Sequence, residues 1–173
     1  MSTNKPPRSG GRSLAMVAAI VGSTGLTPPM NKVDFEVRGA IAPSCGLTAK
    51  FIRIDLGTVS ASELPVIGST SPWRHASLKG IDCIGATRAY VTLRAPIYAP
   101  DARYLAVSGP AVGVAIETQS ASGQPLPPDG SRPVVFTWAG GQPELAFRAR
   151  YVRVGSLSPG QAGATGQIQI TWE

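Results

Sequence analysis

An all-β domain built of many short strands is what this sequence predicts, and three observations carry the expectation. Gly 20 and Pro 16 in 173 residues supply turns at close intervals. Apolar and polar residues alternate with period two in one segment after another, as in strands with one buried face. Beyond an N-terminal apolar run, no stretch sustains helical periodicity or a repeat. Only 15% of residues are charged, and the length suits a single domain with its own core.

Each strand can be read in turn. Val33-Asp-Phe35-Glu-Val37 alternates, and so does Ile52-Arg-Ile54-Asp-Leu56, which ends at Gly57. A Ser/Thr/Pro/Gly-rich connection from Thr58 to Pro72 follows. Trp73 to Cys83 makes a poorer strand, with Gly80 between the apolar Leu78 and Ile81. Better ones are Ala89–Leu93, Val112–Ile116, Val134–Trp138 and Leu145–Val154, and the last, Gln167 to Glu173, alternates without a break. Ser122–Gly130 and Ala139–Pro143 carry the Gly, Pro and Asp residues of hairpin turns. Some seven to nine short strands of this kind predict an immunoglobulin-like β-sandwich.

The N-terminus reads as an export signal. Lys5, Arg8 and Arg12 precede the apolar run Leu14–Val21, and Gly22-Ser-Thr-Gly25 supplies small residues for cleavage after Gly25. That run falls short of the ~20 residues that span a bilayer. Residues 1–25 are therefore expected to be a signal peptide. The net charge of +6 lies partly in this segment, and the later arginines are scattered. No basic stripe with interleaved aromatics exists, so nucleic acid is not an expected partner.

Export decides how the cysteines read. Cys45 and Cys83 are the only two, and in an oxidising compartment a disulfide is the default. It closes a long loop, worth about 4 kcal/mol in the chain-entropy model. Two thiols and the lone His75 do not make a zinc site, so no metal or cofactor is expected. No Gly-x-Ser-x-Gly elbow accompanies His75, and Asp34, Glu36 and Asp82 read as surface carboxylates. No catalytic residue is assigned, and an enzyme is not expected.

Four features, in this order along the chain, resemble the pilin subunits of the bacterial chaperone–usher pathway. Val37-Arg-Gly-Ala-Ile-Ala-Pro-Ser-Cys45 is similar to that family's opening strand, and Ile54-Asp-Leu-Gly-Thr-Val59 to its "D-L-G-x-V" strand end. Asp82-Cys83, together with the span from Gly113-Val-Ala-Ile116 to Ser122-Gly-Gln-Pro-Leu126, makes the third likeness. Phe147-Arg-Ala-Arg-Tyr151 then leads to Gly160, fourteenth from the end, and to the next-to-last aromatic, Trp172. Trp172 stands where the family usually has Tyr, Gly80 where it has a large apolar residue, and Val33 where it often has Gly.

The resemblance implies a sandwich lacking its last strand, completed by donor-strand complementation. It implies a donor extension over residues 26–37, with Met30, Val33, Phe35 and Val37 as plugs, ahead of a pilin domain over 38–173. The lesser alternative for Phe35 and Val37 is a first strand of the chain's own sandwich. Gly160, Ile168, Ile170 and Trp172 would belong to the acceptor groove and its C-terminal strand, although Ile168, Ile170 and Trp172 also suit an ordinary edge strand. The Glu173 carboxylate would be gripped by basic side chains of a periplasmic chaperone. The implied partners are neighbouring pilin subunits, that chaperone and an outer-membrane usher. The implied destination, through the periplasm, is a fimbria on the cell surface, where a host receptor is unknown. The alternative is a self-complete secreted sandwich that binds a glycan on Trp73, Trp138, Tyr90, Tyr98 or Tyr104.

Overall fold

The computed structural model describes residues 34–173. The expected signal peptide, and Met30 and Val33 in the expected donor segment, lie outside the described residues. The chain divides between Arg38 and Gly39 into two units. In the first, residues 34–38 are exposed and form no strand, because alternation alone gives a segment no ladder to join. Phe35 and Val37 stand 87% and 78% exposed, while Glu36 and Arg38 pair at 2.6 Å.

The second unit is a sandwich of two antiparallel sheets. Its strands are β1 (Ser44–Leu47), β2 (Arg74–Ile84), β3 (Arg88–Arg94), β4 (Tyr104–Leu105), β5 (Val112–Ser120), β6 (Val134–Thr137), β7 (Glu144–Ser158) and β8 (Gln167–Trp172). A single 3-10 turn, Ala61–Glu63, is closed by a capping box between Ser60 and Glu63. One sheet runs β1-β2-β7-β5-β4 and the other β6-β3-β8. All-β architecture is thus observed, with two sheets facing one core.

Register follows from the alternation, since a slip of one residue would turn every apolar side chain outward. Opposite β7, Leu78 pairs with Leu145 and Ala76 with Phe147. On the facing sheet, Val91 pairs with both Val134 and Ile170. Leu145, Ala89 and Val91 are fully buried, and Phe147 meets Phe136 edge-on at 5.5 Å. Burial of this kind contributes about 25 cal/mol per Å2 of apolar surface.

Cys45 on β1 and Cys83 on β2 are joined in a disulfide. It ties a four-residue edge strand to its neighbour. Gly80, the weak point of the β2 pattern, has a packing reason. A Cβ there would lie 2.6 Å from Cγ of the buried Pro143, and the Gly80 N–H donates to the Pro143 carbonyl at 2.9 Å.

Three further differences from the sequence reading stand out. Strand β4 is only two residues long, too short to show a period. Strand β7 runs to Ser158, four residues past Val154, and its far end skips register against β5 between Val112 and Val114. Gly113 permits that irregularity, because a Cβ would strike the Ser156 carbonyl and its φ is +82°. The third difference is the segment from Phe51 to Leu56, which alternates as expected but joins no sheet.

Candidate functional site

From residue 51 to 56 the alternation is faithful, Ile52, Ile54 and Leu56 turning towards the core while Phe51, Arg53 and Asp55 are exposed, before the chain bends at Gly57 with a φ of +68°. Yet among the described residues no backbone–backbone hydrogen bond reaches positions 49–59. The N–H of Gly57 is satisfied locally, by the Asp55 carboxylate at 2.9 Å. Buried or half-buried backbone groups are normally paired, so this segment lacks a neighbour.

Strand β8 has the same lack on one side. It pairs with β3 from Ala89↔Trp172 to Arg94↔Gln167 and ends the three-stranded sheet, with no partner on its other edge among the described residues. Ile168 and Ile170 face inward and are only half-buried; Gln167, Gln169 and Thr171 face out.

Between these two unpaired edges lies a groove of about 1470 Å3. Its walls include Ile52, Ile54, Leu56, Ile168 and Ile170, and its floor is made of core side chains such as Leu93, Ile116 and Phe147. Aliphatic side chains line a cleft whose rims expose backbone donors and acceptors. Such a cleft accepts an extended chain, with main-chain hydrogen bonds to both rims and alternate side chains inserted below.

The segment from Gly160 to Gly166, mostly small residues, also lines the groove. Gly160 approaches the chain closely: a Cβ would sit 2.8 Å from the Ala111 nitrogen and 2.9 Å from Pro110 Cγ. Ser108 and Gly163 exchange backbone hydrogen bonds of 2.7 and 3.0 Å, and the Tyr151 hydroxyl donates to the Ala162 carbonyl at 2.7 Å. Burial, with the Asp55 charge as a second cause, pushes the Tyr151 phenol above its ordinary pKa. Tyr151 was not singled out by sequence; only its place in the Phe147–Tyr151 motif hinted at it.

The sequence-derived residues fall into distinct places. Gly160, Ile168 and Ile170 line the groove. Trp172 does not; it packs edge-on against Trp138, ring centroids 6.1 Å apart, at the end of β8. The main-chain oxygen of Glu173 accepts from the N–H groups of Thr87 and Arg88, each at 2.8 Å. Its side chain accepts from the Tyr90 hydroxyl at 2.8 Å and the Arg88 guanidinium at 3.1 Å. Phe35 and Val37 belong to the other unit. Of the aromatics considered as glycan platforms, Trp73 lies under two guanidiniums, Arg148 at 4.4 Å and Arg150 at 4.1 Å. Trp138 is taken up by Trp172, and Tyr90 by Glu173.

The comparisons with known proteins agree with this geometry. The family described as "Fimbrial protein" matches residues 32–173. Protein LpfE of Salmonella typhimurium is 31% identical over 137 residues, covering 76% of this chain and 78% of LpfE. In fold, the chain is similar to the P pilus rod subunit PapA, with a TM-score of 0.64 at 22% identity over 75% of this chain and 99% of that one. It is equally similar to a subunit of a chaperone–usher pilus whose structure addresses rod uncoiling, with a TM-score of 0.66 at 21% identity over 85% and 99%. The chain therefore belongs to the fimbrial protein family, and it is a structural subunit of a surface fimbria.

Proposed function

We propose that this subunit polymerises by accepting an extended strand from a neighbouring subunit into the groove between residues 51–59 and β8, and by donating its own residues 26–37 to the next. One observation supports this above all: two facing edges with unpaired backbone enclose a cleft of half-covered aliphatic side chains. An inserted strand satisfies both rims and covers Ile52, Ile54, Leu56, Ile168 and Ile170 together. The exposed Phe35 and Val37 supply matching apolar plugs, with Met30 and Val33 further along the same segment.

The rest of the assembly route follows from the same physics. A groove left open in the periplasm is a site for aggregation, so a chaperone that lends a strand until the usher exchanges it is required. That chaperone meets the end of β8 at Glu173, beside Arg88. Residues 1–25 direct export and are removed. The polymerisation named for the P pilus adaptor PapF, whose fold this chain shares with a TM-score of 0.52, is the behaviour proposed here.

The test is deletion of residues 26–33 in cells producing the cognate chaperone and usher. The shortened subunit keeps its groove and is expected to accept a strand but not to give one, so it terminates fibres. Continued growth beyond the shortened subunit would refute the donor role. A stable, monodisperse monomer of the intact mature chain without chaperone would refute the open groove.

A further inference from the structure

The rims of the groove carry charge on one side only. Segment 51–59 presents Arg53 and Asp55, two residues apart and both exposed, while β8 presents the neutral Gln167, Gln169 and Thr171. Neither Arg53 nor Asp55 forms an ion pair among the described residues; Arg53 lies 5.8 Å over the exposed Phe51 ring, and Asp55 accepts only from the Gly57 N–H. Two other charged residues border the groove, Lys50 and Arg148. Arg148 is occupied, donating to the Gln119 side chain at 2.7 Å and stacked on Trp73.

The donor segment of this chain carries a complementary face. In Asp34-Phe-Glu-Val-Arg38 the charges stand at every second position, opposite Phe35 and Val37. The Glu36–Arg38 pair, two residues apart, is what an extended backbone with both side chains on one face produces. Once Phe35 and Val37 enter the groove, Asp34, Glu36 and Arg38 face outward, level with the exposed side chains of the rim. In either direction one register matches the signs. Laid parallel to 51–59, Glu36 and Arg38 meet Arg53 and Asp55; laid antiparallel, Asp34 and Lys32 meet them.

We propose that Arg53 and Asp55 are specificity-determining residues, reading the charged face of the incoming strand and so selecting a second copy of this chain as donor. This rests on the donor-strand reading of the groove. Cross-strand charge pairs of opposite sign stabilise a sheet and like signs destabilise it. At an exposed rim such pairs act mainly on the association rate and on the choice of partner.

The experiment uses the mature chain in complex with its chaperone as acceptor and an excess of fluorescent peptide spanning residues 26–41 as donor, with the rate at which peptide replaces chaperone as readout. A peptide carrying Asp34→Lys and Glu36→Lys is expected to enter about tenfold more slowly. The Arg53→Glu acceptor is expected to reverse that preference, taking the altered peptide faster than the natural one. Raising salt well above physiological strength, where the screening length is about 8 Å, is expected to shrink both differences. A third peptide with Asp34→Ser and Glu36→Ser is expected to enter both acceptors at equal rates, which shows that Arg53→Glu leaves the groove formed. Equal rates for the natural and charge-reversed peptides would overturn the charge reading while leaving strand donation intact. If none of the peptides enters either acceptor, strand donation itself fails, and the specificity proposal with it.

Discussion

Strand β7 and segment 51–59 are written in the same alternating code and meet opposite fates. β7 is hydrogen-bonded on both sides, to β2 and β5, and its inward residues Leu145, Phe147 and Ala149 are 0–4% exposed. Segment 51–59 has no ladder partner among the described residues, and its inward residues Ile52, Ile54 and Leu56 are only half-covered. The difference lies in topology, not in side-chain chemistry. A strand in mid-sheet is complete within its own chain, whereas a strand beside an empty slot depends on a second chain. On the donor-strand reading proposed above, that incompleteness is what lets one subunit hold the next.

The comparison breaks most visibly if the two regions are truncated in parallel. Leu145→Ala removes a fully buried side chain and is expected to cost about 2–5 kcal/mol, a large fraction of a domain's net stability. It should do so equally with the groove empty or filled. Ile168→Ala, on the open side, is expected to cost about 1 kcal/mol in the empty subunit, where the side chain is already half-solvated. After donor peptide binds, its cost should rise towards the same 2–5 kcal/mol range. Denaturant melts at high dilution, on subunit freshly released from chaperone, with and without peptide, measure both. Equal penalties for Ile168→Ala in the two states would mean that the groove is not where the strand goes.

A middle-sized effect sharpens the picture in the small-residue segment. Gly160→Val places atoms against the Ala111 backbone and Pro110, neither of which is the far end of a flexible side chain. The expected cost is about 1–3 kcal/mol, together with slower peptide entry because that wall must move. Unchanged melting and unchanged entry would show that Gly160 has room to spare.

Much of this was legible in the sequence, and what was not has identifiable causes. Alternation reports which face of a strand is buried, so Ile52, Ile54, Leu56, Ile168 and Ile170 could be placed inward from residues alone. It does not report whether the backbone has a partner. That is why 51–56 reads like any other strand, and why Val33–Val37 reads as one although residues 34–38 join no ladder. Strand β2 hides its period because Gly80 is chosen by Pro143 across the sheet, a contact between residues far apart in sequence. Trp172 closes β8 and packs against the core, where the ring of Trp138, just past the end of β6, meets it edge-on, a contact that alternation does not report.

The smallest expected effect tests how the small-residue segment is held. Tyr151 donates one hydrogen bond to the Ala162 carbonyl, and Tyr151→Phe removes only that hydroxyl, so a loss of about 0.5–1.5 kcal/mol is expected. The phenol offers a second readout, because burial raises its pKa above the usual value near 10.0. For an acid whose folded pKa lies above its unfolded one, the folded state retains the proton longer. The corresponding stability is complete below the unfolded pKa and is lost as pH rises through the folded pKa. The phenolate also cannot donate to Ala162, and it would stand near the Asp55 carboxylate that already opposes its charge. The wild-type subunit should therefore lose stability on going from neutral pH to above pH ~10, and Tyr151→Phe should lose less over the same interval. Filling the groove with donor peptide removes more water from the phenol and should move the wild-type loss to still higher pH. Parallel alkaline profiles for wild type and Tyr151→Phe would show that the segment from Gly160 to Gly166 is held by Ser108 and Ala111 without help from the tyrosine.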